Sequence, residues 1–118
     1  MGFVGSTNLG AVTTNPAAGA VLATTGSLTT STPDHSANYK IEVFASSTAD
    51  AVFDLQSVFS GSVVSHTYLM CAANTSVQLK SDISYSIPDG VTLQVVNVNS
   101  GLLGTVQVNI YWAIDTFN

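Results

Sequence analysis

At 118 residues the chain is long enough for one domain with a buried core and too short for two of ordinary size. Lys40 and Lys80 are its only lysines and it has no arginine, so nothing can neutralise a run of phosphates or read guanine edges bidentately, which excludes nucleic acid as a partner. A formal net charge of −5 carried by 8% charged residues leaves solubility to Ser, Thr, Asn and Gln and makes electrostatic steering weak.

The N-terminus lacks the basic stretch of a secretory signal, and no apolar run approaches the ~20 residues that span a bilayer; the expectation is synthesis in the cytoplasm with no export signal and no membrane contact. Residues 1–18 read as an extended arm. Its apolar residues Phe3, Val4, Leu9 and Val12 are too widely spaced to fold on themselves and suit a segment lying along a neighbouring subunit. Residues 19–118 form the domain proper, beginning with one or two edge strands between 20 and 30.

From Tyr39 onward apolar and polar residues alternate in segments separated by turn signals, the pattern of an all-β domain. Residues 39–45 set Tyr39, Ile41 and Val43 against Lys40 and Glu42. Residues 52–59 set Phe53, Leu55 and Phe59 against Asp54 and Gln56, and Ser60-Gly61 is the turn that follows. Residues 63–72 put Val64, Tyr68 and Met70 on the core side opposite Ser65 and Thr67, and the Asn74-Thr75-Ser76 sequon reads as a turn. Residues 76–87 alternate cleanly except at Ser81, which marks either two strands or a bend. Pro88-Asp89-Gly90 is the strongest local signal, because Pro presets the first turn angle and Gly accepts positive φ. Residues 91–98 and 102–114 complete the set, the last with Val106, Val108, Ile110, Trp112 and Ile114 on one face and Gln107, Asn109, Tyr111 and Ala113 on the other.

About seven or eight antiparallel strands without a helix require two packed sheets, since a single sheet would leave one apolar face in water. A jelly-roll-like β-sandwich ranks first. An immunoglobulin-like sandwich ranks second, because the Cys, Trp, Cys pattern it normally shows cannot be made from one cysteine and Trp112.

Chemistry is sparse. Lone Cys71 permits no intrachain disulfide and no multi-cysteine metal site, and fits a small buried apolar residue at a strand end. The acidic residues are scattered; Asp54 and Asp82 are the only carboxylate pair that could flank a glycosidic bond, and both read better as solvated charges. His35 and His66 match no zinc spacing, and no nucleophile turn or phosphate loop occurs, so neither catalysis, a metal nor another cofactor is expected. His66 shares a face with Val64 and Tyr68, which suits a hydrogen bond at the core edge or between subunits, or a histidine cluster about a threefold axis. Most aromatic residues fall on core faces; only Tyr111 points clearly outward, which weakens but does not remove a sugar-stacking platform. Polar faces interspersed with Val52, Val58, Val63, Leu69 and Val96 would make an uncharged surface suited to subunit contact.

The Phe53-Asp54-Leu55-Gln56 run, Asn74-Thr75-Ser76-Val77-Gln78-Leu79, the Ile87-Pro88-Asp89-Gly90 turn with the strand after it, and Gly104-Thr105-Val106-Gln107-Val108 resemble small β-sandwich virion proteins of tailed bacteriophages. The resemblance covers about half of the chain, between residues 51 and 114. It implies a jelly-roll subunit, often trimeric, that decorates or cements a capsid. The expected partners are further copies of itself and the major capsid protein, the expected location the capsid surface of a virion, and Phe3, Val4, Leu9, Val12, His66 and Tyr111 the expected interface residues. A lectin-like module, or a tail or fibre subunit, is the alternative.

Overall fold

Ten strands, all paired antiparallel, make up the computed structural model, which describes residues 2–9, 13–28, 36–80, 85–88, 90–99 and 104–116. They are β1 (Gly2–Leu9), β2 (Thr13–Thr14), β3 (Val21–Ser27), β4 (Ser36–Ser47), β5 (Ala51–Phe59), β6 (Ser62–Cys71), β7 (Thr75–Lys80), β8 (Tyr85–Pro88), β9 (Thr92–Asn97) and β10 (Thr105–Thr116). Neither helix nor cis peptide occurs among the described residues.

The short strands continue their neighbours. β1 and β2 both pair with β10, at successive registers along one edge, and β7 and β8 both pair with β4 in the same way. The ten strands therefore fill eight rows. Numbered along the chain, these run 1-8-3-6 in one sheet and 2-7-4-5 in the other, so row 1 pairs with 8, 2 with 7, 3 with 6 and 4 with 5. That is a single long antiparallel ribbon rolled into two facing sheets, which defines a jelly roll. The tip of the ribbon is the two-residue turn Ser60-Gly61, with φ of 50° and 79°. Positive φ at both positions is the type I′ geometry whose twist matches the flanking strands.

The core lies where the alternation predicted it in β4, β10 and most of β5, and β9 joins it. Tyr39, Ile41, Val43 and Ala45 of β4, Ala51, Phe53 and Leu55 of β5, Leu93 and Val95 of β9, and Val106, Val108 and Ile110 of β10 form one buried cluster, with Trp112 packed partly against it. Cys71 is buried at the end of β6, as expected of a small apolar side chain there.

Three expectations change. Residues 2–9 are extended, but they hydrogen-bond along β10 of their own chain, with Phe3 opposite Asp115, Val4 opposite Ile114 and Leu9 opposite Asn109. The reason is that an edge of β10 offers eight consecutive pairing positions, and backbone pairing does not require the spaced side chains to form a core. Val12 lies outside the described residues. The faces of β6 are inverted: Leu69 and Cys71 point into the core, while Val64 (61% exposed), Tyr68 (60%) and Met70 (79%) face solvent. A one-residue change of phase moves a whole strand's side chains to the other face, and β6 also carries a bulge at Val64, where Ser57 pairs with Ser65 but Val58 with Val63. Phe59, expected inside with Phe53 and Leu55, is half exposed at the ribbon tip.

Candidate interaction site on the β5–β6 hairpin

The order of the second sheet is β3-β9-β5-β6, so β6 is an edge. Its backbone is paired with β5 on one side, and no described strand pairs with the other. Natural edges are usually protected by Lys, Pro, bulges or short length. β6 is ten residues long and contains no Lys, Pro, Asp or Glu; its bulge is confined to the hairpin end, and residues 65–71 pair regularly with β5. Val63, Val64, Tyr68 and Met70 all expose apolar surface along it.

Beside this edge, on the outward face, three strands hold a polar chain. Gln94 Nε2 on β9 donates to Gln56 Oε1 at 2.9 Å, and Gln56 Nε2 on β5 donates to Asp54 Oδ2 at 2.9 Å. From β6, His66 Nδ1 lies 2.6 Å from the same Oδ2. An ionised carboxylate only accepts, so against that form of Asp54 the imidazole donates from Nδ1. Asp54 is not the solvated charge expected from its position on a polar face. Its side chain is 2% exposed, since the register sets it between Val96 and Tyr68, whereas the His66 side chain is 48% exposed. Both bonds converge on Oδ2, and the buried Oδ1 has no partner. The His66 and Tyr68 rings lie parallel, 2° apart in plane with centroids 5.9 Å apart, and stand on the surface above this network. His66 thus makes the hydrogen bond its position suggested, but within its own chain.

Removing the imidazole should show what this network contributes. His66→Ala leaves a buried carboxylate with one donor instead of two, and because the bond is half exposed its loss should cost about 1–2 kcal/mol. Adding Asp54→Asn removes the charge that needed the donor, so the double variant should lose less than the sum of the two single changes. Urea unfolding of the four proteins measures the coupling, and strict additivity would refute it.

The remaining candidates fall elsewhere. Tyr111 is half-buried on the outward side of β10, in the other sheet, and is not brought near His66 by the strand order. Phe3, Val4 and Leu9 belong to β1 at the edge of that same sheet. His35 and Asp82, and with Asp82 the Asp54–Asp82 pair, lie outside the described residues. No group of three His, Cys, Asp or Glu side chains converges among the described residues. Ser57 and Ser65 hydrogen-bond each other at 2.8 Å across the hairpin but line a cleft between the sheets with Leu55 and Leu93, on the opposite face from His66. Of the residues proposed for a neutral contact surface, Val63 is exposed and Val52 and Val58 are half-buried, whereas Leu69 and Val96 are buried.

In the sequence Asn97 carries no signal and Asn99 reads only as part of the Asn99-Ser100-Gly101 reversal. Asn97 is fully buried; its Nδ2 donates to the carbonyls of Pro16 and Ala17, both at 3.0 Å, and its Oδ1 accepts from the Asn99 backbone N–H at 3.0 Å and Asn99 Nδ2 at 2.7 Å. Asn99 in turn bonds both backbone groups of Val52. The pair ties the loop before β3 to the start of β5, which holds the hairpin bearing the site.

Fold and site together define a jelly-roll domain with an uncharged, unpaired edge strand. No protein-family model matches the sequence, and no curated protein matches it. Among solved structures, the chain is similar to one from infectious bursal disease virus Gx strain, with a TM-score of 0.50 and 13% identity, covering 95% of this chain and 32% of that one. The chain thus spans about a third of that neighbour's length. Weaker likenesses are to BiXyn10A CBM1 in its apo form, with a TM-score of 0.39, 8% identity and 92% of each chain covered, and to the capsular polysaccharide assembling protein CapF from Staphylococcus aureus, with a TM-score of 0.30, 19% identity and 92% and 29% covered. At 13% identity the viral likeness bears on the fold alone.

Proposed function

We propose that the chain is a structural protein of a virion: a jelly-roll subunit that assembles with copies of itself, as a homotrimer, and binds the major capsid protein at the capsid surface. The observation that carries this reading is the β6 edge. β6 is a ten-residue edge strand with four exposed apolar side chains and no carboxylate or lysine of its own, a surface on which copies of an acidic protein meet with little repulsion. In a trimer the contact is heterologous, β6 of one copy meeting a different surface of the next, and the ring closes at three. The jelly-roll strand order and the fold shared with a chain from a virus structure support the reading. No catalytic role is assigned to His66 and Asp54, whose chemistry is that of a pair holding the hairpin's outer face. Light scattering should give three times the monomer mass, and the protein should sediment with capsids that lack it. A monomer that ignores such capsids would overturn the proposal.

One observation favours a second reading. Tyr68, expected in the core, is exposed beside His66 and Gln56, the arrangement of an aromatic ring with polar neighbours that a lectin-like module uses for a sugar. Trp112 is partly buried in the other sheet and would not report such binding, so the discriminating measurement is a glycan array with wild type and Tyr68→Ala. Glycan binding lost in the variant, without any self-association, would replace the first reading.

A further inference from the structure

Next to the bulge at Val64, a cleft of ≈ 300 Å³ opens between the sheets, lined by Ile41, Leu55, Ile87 and Leu93, with Leu79, Ser57, Ser65 and Thr67 completing it. Exposure grades along it. The first four side chains are buried, Leu79 and Ser57 are intermediate, and Ser65 and Thr67 are exposed, so the aliphatic residues form the floor and the hydroxyls the mouth.

We propose that this cleft is a binding site for a small neutral amphiphile, an unbranched medium-chain alcohol or its equivalent, with its alkyl chain on the aliphatic floor and its hydroxyl among Ser57, Ser65 and Thr67. Size, polarity and charge each narrow the class. Ligand sites begin near ~300 Å³, and an apolar cavity of ~150 Å³ already takes benzene, so the floor accommodates about eight to ten heavy atoms. The hydroxyls at the mouth, two of which hydrogen-bond each other at 2.8 Å, offer a guest hydroxyl both a donor and an acceptor, which a wholly apolar guest would leave unused. A carboxylate head is disfavoured, because no lining side chain among the described residues is cationic and a partly desolvated anion without a partner is costly. The site is on the inner face of β5 and β6, and the inference does not depend on what pairs with the β6 edge.

The test is methyl NMR of the full chain titrated with 1-octanol and, separately, with octanoate at a pH where it is ionised. Octanol should shift the methyl signals of Leu55, Ile87 and Leu93 saturably and raise the melting temperature, with octanoate at least tenfold weaker. Thr67→Phe, at an exposed mouth position, should plug the cleft and abolish the octanol shifts while the protein stays folded. If Thr67→Phe fails to fold, Ser65→Leu serves the same purpose. Absence of saturable shifts up to the solubility of octanol, shifts that persist in a folded plugged variant, or equal binding of octanoate would each overturn the proposal.

Discussion

Replacing Asn97 with Ala should destabilise the fold by about 4 kcal/mol, a large share of the ~5–15 kcal/mol that holds an ordinary domain folded. The side chain makes four hydrogen bonds in a position with no exposure: two as donor, to the carbonyls of Pro16 and Ala17, and two as acceptor, from Asn99. Each contributes about 1 kcal/mol net while formed. Deleting one partner adds the desolvation cost of whichever groups stay buried without one, roughly 1–3 kcal/mol. Ala17 is exposed and its carbonyl can turn to water, so the unrelieved cost falls on Pro16, which is buried, and on Asn99. A substitution to Asp keeps the acceptor and loses the donor; it should also destabilise, because it places a buried charge against two carbonyls. Urea denaturation reads the result, and a loss below about 1 kcal/mol for the Ala variant would mean that neighbouring groups re-pair.

That Asn97 went unnoticed in the sequence is instructive. Periodicity reports which face of a strand an apolar residue takes, and in β4, β5 and β10, which lie in the interior of their sheets, the apolar residues of the predicted face enter the core except Phe59 at the ribbon tip. There the alternation is legible in most positions, and so is the Ser60-Gly61 turn. Asn97 closes a strand next to turn residues, where an Asn is ordinary. Only its fixed distance from a loop some 80 positions earlier makes it structural, and a single sequence does not display that separation.

The edge strand failed for a different reason. Apolar residues occur on both faces of β6: Val64, Tyr68 and Met70 on one, Leu69 and Cys71 on the other. With both parities apolar, counting favours the larger set, and the larger set is the exposed one. The ambiguity is itself a signal, since a strand at the margin of a sandwich has one face half out of the core and should read polar there. Apolar residues on that side point to a surface that is covered in some other state. Asp54 has the same origin. Its position in the alternation is outward, as read, but outward on this hairpin means beneath Tyr68 and next to Val96, not in water.

If copies meet along β6, a charge placed on its exposed face should weaken association at least tenfold without unfolding the protein. Met70→Lys is the first choice. At 79% exposed the side chain makes little contact in the isolated chain, so the substitution should change stability by less than about 0.5 kcal/mol. In an assembled contact the same lysine would be desolvated opposite apolar surface, and Lys is the residue natural edges use to prevent pairing. Tyr68→Lys adds the loss of a large aromatic ring from the centre of the strand and should be stronger still, although it also removes the ring parallel to His66. Thr67→Pro tests the backbone instead. A proline there deletes an N–H from either the intrachain ladder or the free edge, and the unfolding midpoint separates the two cases. Sedimentation velocity across a concentration series is the measurement. Wild type should move as an oligomer and Met70→Lys as a monomer of unchanged thermal stability. Were Met70→Lys to assemble as tightly as wild type, the contact would lie away from β6, and the β3 edge of the same sheet, or β1 and the half-buried Tyr111 of the other, become the surfaces to test next.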